Sequence, residues 1–214
     1  MKDKVCKYIR SDYELFVKCS LEDHTATKFH PNEFERVQTI TNKAVLQQRA
    51  NAYLLLKCEA GHWVDHKKSG APVLMKNGTA EKFSVSFSHK ETAVAAAISK
   101  TENKSIGVDL ELLNTGKDFG FLKDKVISSE EQFFLDRISI SYSLSEKDTP
   151  LFFWVLKEAA FKAQSGQFEV SDFRVKLKEN EIILSCIYSK NIFASEVFVI
   201  EDHIVAVVTT EERR

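Results

Sequence analysis

Apolar and polar positions alternate sharply from 106 to 111, where Ile106, Val108 and Leu110 are interleaved with Gly107, Asp109 and Glu111. This period of two predicts a strand with both carboxylates on one face. The pattern from 149 to 163 is different. Thr149 is suited to cap a helix, Pro150 to occupy its first position and Gly166 to follow its end. Within it, Leu151, Trp154, Val155 and Phe161 form one stripe, and Phe152, Phe153, Leu156, Ala159 and Ala160 make most of the remaining circumference apolar. Such a helix belongs in an interior. Glu158 and Lys162 fall within its stripe, one turn apart.

Elsewhere, residues 4–9 and 14–19 read as short strands and 42–58 as a helix capped by Thr41, with Val45, Ala52, Leu55 and Leu56 among its apolar positions. A turn at 67–72 leads to strands near 83–88, 92–99 and 105–111. Ser128 to Glu131 forms a capping box for a helix ending near Arg137, and Ser139 to Asp148 reads as a polar loop. Strands follow at 173–178, 182–187, 192–200 and 203–209. The class is α+β, with a helix followed by three strands in each half and a join between 104 and 105. No solenoid repeat or low-complexity tract interrupts the chain.

Two carboxylates held on one strand face repel unless a proton or cation separates them, and hard oxygen ligands of this kind suit Mg²⁺. Gly107 is read as leaving room for a ligand beside the backbone. A buried Glu158 needs a proton, an ion pair with Lys162 or a cation. For the helix taken alone, an ordinary Glu158–Lys162 structural salt bridge is the favoured reading, since most such pairs are structural.

These elements coincide with a third, Phe83-Ser84-Val85-Ser86-Phe87-Ser88-His89. Together they resemble the 4′-phosphopantetheinyl transferase superfamily of the surfactin-synthetase-activating type. Gly107, Asp109 and Glu111 match its Gly-x-Asp-x-Glu strand. Trp154, Lys157, Glu158, Ala159 and Lys162 match its Trp-(Ser/Thr)-x-Lys-Glu-(Ala/Ser)-x-x-Lys helix. Ser88-His89 resembles its Ser-His pair and Gly70-Ala71-Pro72 its Gly-Lys-Pro turn. The chain departs from the pattern at Val155 for Ser or Thr, at Ala71 for a phosphate-contacting Lys that Lys67, Lys68 and Lys76 surround, and at Lys90 for Ser.

The resemblance implies two similar halves with pseudo-twofold symmetry and a coenzyme A site in the cleft between them. It implies transfer of 4′-phosphopantetheine from coenzyme A to a serine of an acyl or peptidyl carrier protein, releasing 3′,5′-ADP. Asp109, Glu111 and Glu158 are the expected Mg²⁺ ligands. Glu158 is also a candidate base and Lys162 a cation beside the phosphates. Ser88, His89, Lys157 and Arg49, the last with Lys43 nearby, are expected to contact coenzyme A; a solvated helix face is the plain alternative for Arg49, and a solvent-pointing side chain for Lys157. Lys117, Lys123 and Lys125 are candidates to meet acidic carrier helices. Two other readings compete: a non-catalytic coenzyme A or carrier-binding protein on the same scaffold, and an unrelated Mg²⁺-dependent phosphohydrolase.

Composition narrows the classes. With 214 residues and 43% apolar positions, the chain can bury roughly 70% of its unfolded surface. A net charge of −1 removes any global reason to expect nucleic-acid or membrane binding. Cys6, Cys19, Cys58 and Cys186 form no C-x-x-C pair, and the charged N-terminus is followed by no apolar run. The expectation is a cytoplasmic monomer with reduced thiols, each a small buried apolar group.

Overall fold

The structure is a computed structural model that describes residues 5–21, 29–68, 70–117, 119–178, 181–189 and 192–210. Lys4 of the expected first strand and Ser69 of the expected turn lie outside them. The chain divides into two compact units, Met1–Ser105 and Ile106–Arg214. Among the described residues the architecture is α+β: five α-helices and three antiparallel sheets.

The N-terminal unit opens with β1 (Val5–Ile9) and β2 (Tyr13–Lys18), then α1 (Pro31–Gln38) and α2 (Lys43–Ala60). The strands β3 (Trp63–His66), β4 (Pro72–Lys76) and β5 (Thr79–Ala80) form a small sheet in chain order. β6 (Val85–Lys90) and β7 (Ala93–Ser99) return to the first sheet, whose order is β1-β2-β7-β6. Tyr53, Leu56 and Ala52 of α2 pack with Phe16, Val85, Val94, Ala96 and Ile98. That core uses one face of each strand, as period-two patterning requires.

The cap of α2 is Asn42 rather than Thr41: Asn42 Oδ1 accepts the amides of Ala44 at 3.0 Å and Val45 at 3.3 Å. An Asn side chain one position closer satisfies the same orphan donors. Gly61 ends the helix at φ 68°, a conformation that suits glycine. The helix α1 and the strands β3 to β5 are elements that periodicity did not expose, because they are short and partly polar. The half therefore contains more than a helix and three strands.

The C-terminal unit begins with β8 (Ile106–Leu112), then α3 (Gly120–Val126), a 3₁₀ turn at Glu131–Phe134, α4 (Leu135–Tyr142) and α5 (Thr149–Ala163). Four strands follow: β9 (Phe173–Lys178), β10 (Glu181–Cys186), β11 (Ile192–Ile200) and β12 (His203–Thr210). The sheet order is β8-β12-β11-β10-β9. α5 lies across it, and Phe152, Phe153, Leu156, Ala159 and Ala160 are fully buried with Ile204, Ala206 and Val208 of β12.

Three local expectations change. The Ser128 capping box is present, with the Ser128 amide 2.7 Å from Glu131 Oε2 and the Glu131 amide 3.3 Å from Ser128 Oγ. However, the chain passes through a 3₁₀ turn and stays helical to Tyr142, so the first part of the expected polar loop is helix. Thr149 lies inside α5 rather than capping it; its hydroxyl donates to the Ser145 carbonyl at 2.8 Å. Of the four thiols, all free, Cys186 alone is buried and Cys58 is exposed. No helix among the described residues is long and apolar enough to cross a membrane.

Candidate functional site

In the C-terminal unit, β8 pairs antiparallel with β12 so that Gly107, Asp109 and Glu111 stand opposite Val208, Ala206 and Ile204. Paired residues share a sheet face, and these β12 residues belong to the core beneath α5. The two carboxylates therefore project on the helix-covered face of the sheet.

Gly107 explains how the helix gets so close. A β-carbon there would come 1.8 Å from the Ala159 carbonyl oxygen and 2.7 Å from the Ala163 amide nitrogen. The space that the sequence suggested for a ligand is taken by the backbone of α5. This corrects the role of Gly107 from ligand access to helix seating.

With α5 seated there, Lys162 reaches the strand. Its ammonium donates to Asp109 Oδ1 at 2.7 Å and to the Val108 carbonyl at 3.1 Å. Asp109 is 6% exposed, and its Oδ2 and Glu111 Oε2 are both buried atoms. Glu158, half-buried one turn before Lys162, is held above its ordinary carboxylate range. Burial is the larger cause and the Asp109 charge the next; Lys162 opposes them, and Glu111 pushes the same way. The structure thus brings Asp109, Glu111, Glu158 and Lys162 into one electrostatic neighbourhood.

Three carboxylates against one ammonium leave excess negative charge in a poorly hydrated place, which a proton or a divalent cation relieves. The donor set, all hard oxygen, fits Mg²⁺ better than a softer metal. Among the described residues, no three His, Cys, Asp or Glu side chains are already gathered into a formed metal-ion cage. Lys162 instead holds one Asp109 oxygen.

Lys157 has a different fate from its neighbour Glu158. It is 1% exposed, so neither of the roles expected of it, nucleotide contact or solvent-pointing side chain, describes its position. Its ammonium donates to Glu131 Oε2 at 2.8 Å and to the Val126 carbonyl. Burial lowers its pKa, and Glu131 counters that. Glu131, itself 1% exposed, also accepts the Val175 amide at 2.7 Å on Oε1. One buried pair thereby ties α5, the end of α3, the 3₁₀ turn and β9 together. Glu131 was legible only as a capping residue.

The remaining expected contacts lie in the N-terminal unit. Ser88 is buried and His89 exposed on β6, and strand alternation places them on opposite faces. His89 shares its face with Val85 and Phe87, which pack on the core side with α2. Arg49 is half-buried on α2, whereas Lys43 begins that helix and is exposed. Six positions separate them, which sets them roughly 240° apart around the axis. They do not share a face. Lys67, Lys68 and Lys76 are all exposed, and the Lys67 amide donates to the Ala71 carbonyl at 2.9 Å across the turn. Arg36, Tyr53 and His66 were not singled out from sequence; Tyr53 meets His66 edge-on, and burial and then the Arg36 and Arg49 charges push the His66 pKa down to about 4.

No family model and no curated protein matches this chain. The functional reading therefore rests on the residues and their arrangement.

Proposed function

We propose that this protein is a Mg²⁺-dependent 4′-phosphopantetheinyl transferase that moves the group from coenzyme A to a serine of an acyl or peptidyl carrier protein. The observation that carries the reading is the convergence of Asp109, Glu111 and Glu158 with Lys162 beneath α5. Their residue types and spacing are those of the resemblance, and their neighbourhood has the excess negative charge that a divalent ion offsets. The two-fold relation of the halves and the cleft for coenzyme A belong to the same proposal, as do the monomeric state and a cytoplasmic location. What supports the two-fold relation is that each unit contains a long helix, α2 or α5, packed on an antiparallel sheet.

Bound Mg²⁺, held by Asp109, Glu111 and Glu158, would supply charge neutralisation on the pyrophosphate oxygens. Lys162 contributes the nearest fixed positive charge, which favours phosphate oxygens at the same place. In the transfer, the carrier serine oxygen bonds to the β-phosphorus of coenzyme A as the bond to the 3′,5′-ADP leaving group breaks. Glu158 accepts the serine proton, directly or through a water, as a carboxylate within one hydrogen bond of the nucleophile can. Ser88, His89 and Arg49 are the proposed coenzyme A contacts from the N-terminal unit. Lys117, Lys123 and Lys125, exposed around α3 with the exposed Phe121 among them, are the proposed carrier contacts.

The second reading, a non-catalytic coenzyme A or carrier-binding protein, draws on one observation: Lys162 already pairs with Asp109, so part of the charge is balanced without metal. Intact-mass spectrometry decides between the two. Apo carrier incubated with this protein, coenzyme A and Mg²⁺ should gain one phosphopantetheine, and chelation should abolish the gain. Coenzyme A binding with no gain on any carrier would support the non-catalytic protein. Free phosphopantetheine as product would indicate hydrolysis instead.

A further inference from the structure

The two lysines near the middle and end of α5 differ in freedom. Lys157 is sealed at 1% exposure between Glu131 Oε2 and the Val126 carbonyl, so its ammonium is committed to the fold. Lys162 lies five positions on, roughly 140° further around the helix, and its side chain is 29% exposed. Its ammonium donates to Asp109 Oδ1 at 2.7 Å and to the Val108 carbonyl at 3.1 Å. The Asp109 side chain is only 9% exposed, and its strand is paired with β12 without a break from Ile106 to Leu112. The carboxylate is therefore fixed, whereas a lysine on a flexible stem with access to water can leave.

What Lys162 holds is an oxygen that a divalent cation would use. Of the three acids, Asp109 is buried and Glu111 and Glu158 are half-buried. Water screens Asp109 least, so a cation gains most on its oxygens. The ammonium on Oδ1 is thus an internal counter-ion at the deepest of the three carboxylates. An ammonium and Mg²⁺ on that same oxygen would repel each other where hydration is poor.

We propose that Lys162 is a displaceable counter-cation: it holds Asp109 until Mg²⁺ takes that oxygen, and its released ammonium then turns to the phosphates that accompany the metal. The proposal rests on the metal-dependent reading above and adds to it a coupling between the two ligands. Mg²⁺ alone binds weakly, because it must break the Lys162–Asp109 pair. With a pyrophosphate present, the ammonium exchanges one anion for another, so that cost is offset. Metal and coenzyme A therefore strengthen each other's binding, by the same factor in either order. Lys157 cannot act in this way, since leaving Glu131 would strand two buried charges.

The test is calorimetric titration of the full chain with Mg²⁺ at about pH 8, where carboxylates are ionised. Lys162→Met keeps the apolar stem and removes the ammonium. It should bind Mg²⁺ at least about tenfold tighter than wild type, the scale of one charge-assisted hydrogen bond, although it loses a cation useful for transfer. The tightening of coenzyme A on adding Mg²⁺ should be smaller in the variant than in wild type by a similar factor. Lys162→Gln, neutral and polar, repeats both measurements should the methionine variant not fold. Mg²⁺ affinity equal to or weaker than wild type, in a variant whose amide spectrum is native, would overturn the proposal, and so would equal coupling in the two proteins. Absence of Mg²⁺ binding in wild type and both variants would overturn it as well. Carrier mass gain is a separate readout: the transferase reading fails there, whatever the Mg²⁺ affinities, and a wild type that modifies carrier can still refute the role given to Lys162.

Discussion

Gly107 sits directly under Ala159, so close that a β-carbon would lie 1.8 Å from the Ala159 carbonyl oxygen. The strand residue that lacks a side chain is what lets α5 descend, and that descent brings Lys162 within 2.7 Å of Asp109. Local sequence, helix seating and site electrostatics are thus one chain of cause.

Gly107→Ala should displace α5 or cost stability beyond the about 1–3 kcal/mol typical of overpacking, since the obstacle is backbone and cannot rotate away. Denaturant unfolding measures it. Wild-type stability with native transfer activity would show that the helix is not so tightly seated.

Asp109→Ala and Glu158→Ala should each abolish transfer while leaving a cooperative unfolding transition. Glu158 faces solvent in part, and Asp109 ends beside a half-exposed lysine, so neither removal opens the apolar core. Substantial Mg²⁺-dependent activity in either variant counts against the carboxylate triad.

Glu158 also sets a pH dependence. Its folded pKa is raised above the ordinary 4.5, so the folded state binds the proton more tightly than the unfolded chain. That contribution is fully present below 4.5 and is lost as pH rises through the folded value. In chelator, wild type should therefore lose stability relative to Glu158→Gln over that rise, and Mg²⁺ should restore it. Parallel stability profiles for the two proteins would reject the argument.

His66 has the opposite sign. Its folded pKa, about 4, is depressed below the ordinary 6.5. The contribution is present above 6.5 and lost as pH falls through about 4. Thermal melts across that window should decline more steeply for wild type than for His66→Gln, and an NMR midpoint near 6.5 would contradict the burial that lowers it.

Glu131→Ala should destabilise by about 3–5 kcal/mol, because it strands a buried lysine charge. Replacing both partners, Glu131→Gln with Lys157→Met, should recover much of that loss. A single variant as stable as wild type would mean that water reaches Lys157.

Reversing Lys117, Lys123 and Lys125 to Glu should raise KM for carrier while coenzyme A affinity stays unchanged. Steady-state kinetics with varied carrier measure it, and unaltered kinetics would remove these residues from the carrier surface.

Periodicity by itself determined most of the regular structure: β8 from the alternation at 106–111, α5 from its apolar circumference, and β9 to β12 from period-two runs. These signals are local, since each residue's face follows from its neighbours in the chain. The same logic put Asp109 and Glu111 on one side of a strand. Tertiary structure alone decided what met them. Whether Gly107 admits a ligand or a helix depends on a segment some fifty residues away, as does the choice of Asp109 as an ion-pair partner for Lys162. Lys157 and Glu158 are adjacent in sequence, yet one is sealed against Glu131 and the other joins the carboxylates, because a helix turns about 100° between them. Arg49 and Tyr53 are one helical turn apart, but no spacing links that pair to Arg36 or His66. Only the packing of α1, α2 and β3 places their charges together.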